Sequence, residues 1–288
     1  MTMTKFKAPY TIEELCDALR NKDKNTYVIA GGTDLIIHFN KKGIFGYKII
    51  DLTKLKELKE ISETENEIII GSAVTMTEIE NSQLINKYVP ALIDSVYNLG
   101  SEQIRNRATI GGNVANSSQS GDTIPVLFAY DAIAEIINSS GTRRTDKIEN
   151  VVEGLEKNSL NDDEVITNII IKKTNSKSAF SKVGSRKAVT ISKLNCCIKT
   201  DISDDMIINN SVVYLGAVGP KPIRAKFIEE KLLNKNINDI ASAELHDAIY
   251  LQIEDAIPDR SSKHYKKPAA EGLVDDILDK LRRQKWKN

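Results

Sequence analysis

Residues 100–113 read Gly-Ser-Glu-Gln-Ile-Arg-Asn-Arg-Ala-Thr-Ile-Gly-Gly-Asn, a polar run that closes on the doublet Gly111-Gly112. Glycine has no side chain to keep an anion from neighbouring main-chain amides, and it tolerates the positive φ of a tight turn. The Thr109 hydroxyl and the Asn113 side chain add polar groups to the same turn. A sister doublet lies upstream in Ala30-Gly31-Gly32-Thr33-Asp34-Leu35, where Tyr27-Val28-Ile29-Ala30 reads as a short apolar strand feeding the glycines. A helix is expected over Leu35 to Asn40, stopped at Gly43. Thr33 and Asp34 then stand at its N-cap, with spare amides pointing outward. The negative Asp34 suits a helix cap or a sugar hydroxyl, not a phosphate. Asp122, in Ser120-Gly121-Asp122-Thr123, is suited to accept hydrogen bonds from ribose or ring N–H groups.

Neither doublet has the Rossmann spacing G-x-G-x-x-G, and the chain has no P-loop, so a dinucleotide held here sits on another scaffold. A lone glycine doublet is most often only a turn. Two of them flanked by Thr and Asx residues read as anion-binding loops, and spacing alone goes no further.

The bulk composition narrows the classes. A chain of 288 residues implies about two domains. Its 41% hydrophobic and 28% charged residues are ordinary for a globular protein. Lys plus Arg equals Asp plus Glu at 40 each, so no global field draws in nucleic acid or a membrane surface. The three cysteines, Cys16, Cys196 and Cys197, are an odd set that fits a reducing compartment and lacks zinc or iron–sulfur spacing. Residues Met1 to Tyr10 carry no apolar run of a signal peptide, and no stretch is long enough to span a bilayer, so a cytoplasmic location is expected.

Several residues take plain structural readings. His38, His246 and His264 are scattered, and no acid–base triad, catalytic residue or metal site is expected. Cys196-Cys197 lies within apolar Leu194 to Ile198 and reads as buried packing. Trp286 reads as a packing or interface residue, and Asp259 to Lys267 as a solvated basic loop. For Arg105 and Arg107, phosphate contact and pairing with Glu102 stay equally open.

The element pattern is mixed. Thr11 to Arg20 reads as a capped amphipathic helix with Ile12, Leu15, Ala18 and Leu19 on one face. Lys48 to Leu52 and Glu67 to Gly71 read as strands. A capping signal at Thr75-Met76-Thr77-Glu78 opens a mostly helical stretch to Gly100, with Pro90 starting a second helix. Ala129 to Asn138 and Glu164 to Lys172 read as strands, with a turn at Ser139 to Thr142. Polar, aperiodic Lys173 to Ser178 marks a domain boundary. Strands near Ile191 to Thr200 and Ser211 to Val218 come next, then helices over Ala241 to Ile257 and from Glu271 to the end.

The run from Gly100 to Asn113 closely resembles the signature of the FAD-binding subunits of molybdenum hydroxylases, the family of xanthine, nicotinate and carbon monoxide dehydrogenases. Ala30 to Leu35 is similar to that family's first diphosphate loop. Asp51-Leu52 and Ile70-Gly71-Ser72-Ala73-Val74-Thr75 are similar to its spacer elements, and Phe180 to Lys187 to the loop opening its C-terminal domain. The resemblance implies an α+β chain: a vanillyl-alcohol-oxidase (PCMH-type) FAD-binding domain over residues 1–174, with two subdomains meeting near residue 55. A small sheet-plus-helices domain of the CO-dehydrogenase-flavoprotein kind occupies 175–288. The resemblance implies that Val28, Ile29, Ala30, Gly31, Gly32, Thr33, Asp34 and Leu35, with Gly100, Thr109, Ile110, Gly111, Gly112 and Asn113, bind the FAD diphosphate. It also implies a flavin-side contact from Asp122 and further cofactor contacts from Ile166 and Lys182, the last a cation suited to a reduced, anionic flavin.

The function so implied is electron transfer. Molybdopterin and 2Fe-2S clusters are expected on partner subunits, with NAD or another acceptor taking the electrons. The chain departs from the family in places. Its cysteines lack the spacing of the cluster some members carry, Ile191 stands near the place of a tyrosine beside the flavin ring, and Arg107 replaces a small residue. The alternatives are a stand-alone flavin oxidoreductase on the same scaffold and a flavin-free assembly subunit. The absence of histidine from both turns weighs against a tethered flavin, and the intact glycines with Thr109, Asn113 and Asp122 weigh against a lost one. The substrate and the acceptor stay open.

Overall fold

The parallel pairing of Thr26–Ile29 with Lys48–Asp51 requires a crossover, and helix Leu35–Lys42 supplies it. Strand Lys5–Lys7 pairs on the other side of Lys48–Asp51 and completes a three-stranded parallel sheet. Helix Ile12–Arg20 is capped as its sequence predicts, the Thr11 hydroxyl accepting the Glu14 amide at 3.2 Å. It buries Leu15, Cys16, Ala18 and Leu19 in a cluster with Ile50, Leu52, Leu55 and Leu58. The structure, a computed structural model, describes residues 5–186 and 189–284; Trp286 and Ala188 lie outside the described residues.

A second sheet has five antiparallel strands in the order Ile61–Glu63, Glu67–Gly71, Glu164–Lys172, Ile133–Asn138, Arg143–Lys147. Its isoleucine-rich middle strand is buried at Ile166, Ile169 and Ile171. Gly141 turns the chain between two of the strands at φ +83°. The capping signal at Thr75 is a reciprocal box: the Glu78 carboxylate accepts the Thr75 amide at 2.7 Å, and the Thr75 hydroxyl accepts the Glu78 amide at 3.2 Å.

A third sheet runs Lys177–Val183, Leu194–Ile202, Ile208–Gly216, Ile223–Arg224 in consecutive antiparallel order. Period-2 alternation sends Ala179, Ile198 and Val213 to one face and Phe180, Cys197 and Tyr214 to the other. The first row joins a core with helices Lys226–Leu232, His246–Ala256 and Lys263–Arg283. Towards the second lie helices Pro90–Tyr97 and Thr123–Ala129, with Phe128 edge-on to Tyr214 at 5.6 Å between ring centroids. Cys196 and Cys197 are fully buried, and burial pushes both thiols up from their ordinary range.

Two compact units emerge, neither continuous in sequence: Met1–Ile79, Ser101–Ser117 and Asp131–Lys172 form one, and Glu80–Gly100, Ser118–Tyr130 and Lys173–Asn288 the other. The α+β class expected from the sequence is the one adopted. Three expected elements differ. The strand expected over Ala129 to Asn138 covers only Ile133–Asn138, and helix Thr123–Ala129 ahead of it had no expected counterpart; all seven of its residues are buried, so no polar stripe betrays it. Pro125 is tolerated there because it lies in the first turn, where amides have no helical acceptor. The last helix starts at Lys263, not Glu271. The basic stretch expected as a loop is therefore helical from Lys263 on: Lys263 and Lys267 pair with Glu254 at 2.6 and 2.7 Å, and the buried Lys266 donates to the Ala217 carbonyl. Helix Lys226–Leu232 had no expected counterpart.

Candidate functional site

In the first unit, strand Thr26–Ile29 runs through Ala30 into Gly31-Gly32, and the chain re-emerges as helix Leu35–Lys42. Gly32 has φ +72°, a backbone state that glycine reaches without strain. Asp34 is the N-cap residue, but its exposed side chain makes no cap bond. The first amide of this run with a backbone acceptor belongs to Ile36, which donates to the Gly32 carbonyl at 3.3 Å. Among the described residues the amides from Gly31 to Leu35 have no such acceptor, so a row of donors stands at the positive end of the helix. Gly43 ends the helix at φ +62°, the stop its sequence predicts.

The second doublet is not a free turn, as its sequence suggested. Thr109 is the N-cap of helix Ile110–Asn116, its hydroxyl accepting the Gly112 amide at 3.2 Å, so Gly111 and Gly112 form the first helical turn. This segment is laced to residues 72–76: Ile110 donates to Val74 at 3.0 Å, Gly111 to Ser72 at 2.9 Å, and Met76 to Ala108 at 2.9 Å. A Cβ on Gly111 would lie 2.4 Å from Ser72 Cβ, and one on Gly31 would lie 2.1 Å from the Arg107 carbonyl oxygen. Gly31 and Gly111 thus serve backbone-to-backbone packing, and that packing brings the two doublets and the spacer into one cluster. Gly112 is exposed and Asn113 half-buried at its surface, while Ile110 is buried in the core.

Val28, Ile29, Ala30, Thr33 and Leu35 are half-buried around the first turn. Ile166 is buried in the middle strand, opposite Ile136 and beside a bulge. The Ser72 hydroxyl, next to Gly111, is buried without a hydrogen-bond partner. Unspent amides, a helix N-terminus and a side-chain-free surface make a donor set that fits a diphosphate. The side chain of Arg107 is exposed.

In the second unit Gly100 takes φ +52°, and Asp122 is buried as the residue before helix Thr123–Ala129. Asp122 Oδ2 accepts Lys182 Nζ at 2.6 Å; Oδ1 accepts Ser192 Oγ at 2.5 Å and Asn195 Nδ2 at 2.9 Å. Lys182 also donates to the Thr190 carbonyl at 3.2 Å. Both members of the ion pair are under one-tenth exposed, so the charge of Lys182 is matched at once by a carboxylate. The sequence named Asp122 and Lys182, which the structure brings together as an ion pair, but not Ser192 and Asn195, which lie 70 and 73 residues from the carboxylate they hold and which no local motif marks. Ile191 is 80% exposed beside Val189, whose φ is +49°.

His246 stacks on Tyr250 at 4.0 Å between ring centroids and its Nδ1 contacts Glu271 Oε1, and His38 lies edge-on to Phe39. No helix among the described residues is long and apolar enough to cross a membrane.

Residues 2–173 match the family model of the FAD binding domain in molybdopterin dehydrogenase, and residues 179–281 that of the CO dehydrogenase flavoprotein C-terminal domain. The nicotinate dehydrogenase FAD-subunit of Eubacterium barkeri is 36% identical over 290 residues, covering 96% of each chain. A putative xanthine dehydrogenase FAD-binding subunit of Escherichia coli (strain K12) is 27% identical over 92% of each. The solved quinoline 2-oxidoreductase from Pseudomonas putida 86 shares the fold at a TM-score of 0.86 and 21% identity, covering 97% of this chain and 96% of that one. The Cu,Mo-CO dehydrogenase does so at 0.85 and 20%, covering 96% and 97%. With its family match over residues 2–173 and a relative at 36% identity across 96% of each chain, this chain belongs to the FAD-binding medium subunits of the molybdenum hydroxylases.

Proposed function

We propose that this chain is the electron-transfer subunit of a cytoplasmic molybdenum-dependent hydroxylase complex that acts on a purine, nicotinate or another N-heterocycle. The observation that carries the reading is the row of amides from Gly31 to Leu35 left without backbone acceptors beside a glycine cluster laced to the second doublet. The kinship with a nicotinate dehydrogenase FAD-subunit and a xanthine dehydrogenase FAD-binding subunit supports the substrate class. Bound FAD would take up electrons from iron–sulfur clusters and release them to NAD or another acceptor. The clusters and the molybdopterin belong to partner subunits.

In this reading the main chain of Val28 to Leu35, with Gly100 and Thr109 to Asn113, holds the diphosphate. Asp122 meets the flavin side of the cofactor, and Ile166 and Lys182 make further contacts with it, Lys182 as a cation suited to the reduced flavin. Residues 1–174, in two subdomains meeting near residue 55, carry the cofactor-binding role, and 175–288 form the C-terminal domain. The chain's own residues bind and orient the cofactor; they move no substrate proton, and no catalytic side chain is assigned.

Reconstitution tests this. The purified chain mixed with FAD is expected to retain a bound-flavin absorbance spectrum after gel filtration and to reduce a dye with NADH. Gly32→Val, which forces a branched side chain to φ +72° with its Cβ 2.8 Å from Ile29 Cδ1, is expected to lose the flavin while keeping its circular dichroism. A wild-type chain with neither bound flavin nor dye reduction would sink the proposal. Identifying the chains that co-purify, and assaying them on purines and pyridines, tests the partners and substrate.

A further inference from the structure

We propose that Ser192 and Asn195 are positioning residues that fix the Asp122 carboxylate for the cofactor, and that Gly216 lacks a side chain so that Asn195 can do so. This rests on the reading of Asp122 as a flavin contact.

A carboxylate offers about four lone-pair positions. On Asp122 three are filled: Ser192 Oγ and Asn195 Nδ2 take both on Oδ1, and Lys182 Nζ takes one on Oδ2. The carboxylate is held from both ends and cannot rotate without breaking a bond. One acceptor position remains, on Oδ2. The network thus leaves Asp122 able to receive a single further donor, a ring N–H or a sugar hydroxyl, from one direction.

Asn195 shows that this arrangement has a cost. Its side chain is fully buried, and its Oδ1 has no hydrogen-bond partner. Flipping the amide would point that oxygen at the Asp122 carboxylate, so the amide is locked with its acceptor unspent. A buried acceptor left unmade disfavours the fold, and an apolar residue at 195 would avoid the loss. The donation to Asp122 is what the amide supplies in return.

Gly216 completes the device. It sits directly opposite Asn195 in the antiparallel register, at the end of strand Ile208–Gly216. A Cβ there would fall 2.0 Å from Asn195 Oδ1 and 2.9 Å from Pro125 Cγ. Any other residue at 216 would drive the amide off its place.

The test uses the full-length chain with Ser192→Ala, Ser192→Thr, Asn195→Ala, Gly216→Ala and the Asn195→Ala/Gly216→Ala double variant. FAD affinity, the flavin midpoint potential and thermal unfolding are measured for each. Ser192→Ala, Asn195→Ala and Gly216→Ala are expected to weaken FAD about tenfold each and to lower the potential, because the carboxylate loses compensating donors. Ser192→Thr is expected to restore both, and Gly216→Ala to cost less once Asn195 is alanine, because only the contact with Pro125 Cγ then remains. Folded Ser192→Ala and Asn195→Ala variants with wild-type affinity and potential, or with lowered stability alone, overturn the inference. The serine pair leaves the strand register untouched and decides the matter if Gly216→Ala does not fold. A wild-type chain that takes up no FAD overturns the reading of the site and this inference with it, whereas wild-type uptake with unchanged variants overturns the inference alone.

Discussion

Two glycines show how much a single missing Cβ decides. At Gly31 an added Cβ would stand 2.1 Å from the Arg107 carbonyl oxygen and 2.9 Å from Ala108 Cα, both backbone atoms. Neither is a flexible end that can step aside, so Gly31→Ala must push a pair of main-chain segments away from each other. Overpacking of this kind costs about 1–3 kcal/mol. Gly272, inside helix Lys263–Arg283, has nothing within 4 Å of the same position. Gly272→Ala is expected to stabilise the chain by about 0.5–1 kcal/mol through helix propensity. Urea unfolding of the two variants checks both signs; a Gly31→Ala chain as stable as wild type would refute the packing role. Nothing in the sequence separates these glycines by mechanism: the doublet hinted at a ligand, yet Gly31 packs against backbone, while the amides beyond it have no backbone acceptor. Asp122 was singled out by its Ser-Gly-Asp-Thr setting and its family likeness. Ser192 and Asn195 were not, because a hydrogen bond across 70 residues leaves no local trace.

At the scale of elements, the second sheet is tied by an ion pair that crosses a strand. Arg144, on edge strand Arg143–Lys147, reaches over Ile133–Asn138 to Glu164 and binds it with two parallel bonds, Nε to Oε1 at 2.7 Å and Nη2 to Oε2 at 2.8 Å. The Arg144 hydrogen bond is the main cause that holds the Glu164 carboxyl down from the ordinary 4.5 to about 2, with the Asn161 amide adding to it and burial opposing. A carboxyl depressed in the folded state contributes stability that is full above its unfolded pKa and lost as pH falls towards the folded one. The contribution of Glu164 is therefore expected to be present above about pH 5 and to vanish between there and pH 2. Comparing urea midpoints of wild type and Glu164→Gln across that window checks this; parallel curves would show that the pair contributes nothing. Elements with an amphipathic stripe or a cap were legible, as at Thr11 and Thr75. Helix Thr123–Ala129 was not, since a segment buried on every side has lost the periodicity that separates helix from strand.

For the whole molecule, order along the chain and order in space diverge. The backbone passes between the two compact units at 79/80, 100/101, 117/118, 130/131 and 172/173. The family models change over only near residue 174, so the sequence suggested a simple division there, and only long-range contacts reveal the interleaving. The consequence concerns residues 80–100 and 118–130, which precede the change-over in sequence but pack on residues beyond it. Ala91 N–H donates to Ser178 Oγ at 3.1 Å, Phe180 N–H to Asp94 Oδ2 at 3.1 Å, and the buried Tyr130 hydroxyl to Ser178 Oγ at 2.8 Å. Leu92, Val96, Ile124, Val126, Leu127 and Phe128 are all buried on these two segments. Cutting at residue 174 would strip their cover and leave an apolar surface of the kind that drives association. A fragment of residues 1–174 is therefore expected to bind a hydrophobic dye, to self-associate on gel filtration and to unfold without a sharp transition, although it holds both glycine turns. The full chain is expected to do none of these. A monodisperse fragment that excludes the dye and melts cooperatively would show that the segments fold without their partners, and that cofactor binding and folding share one boundary after all.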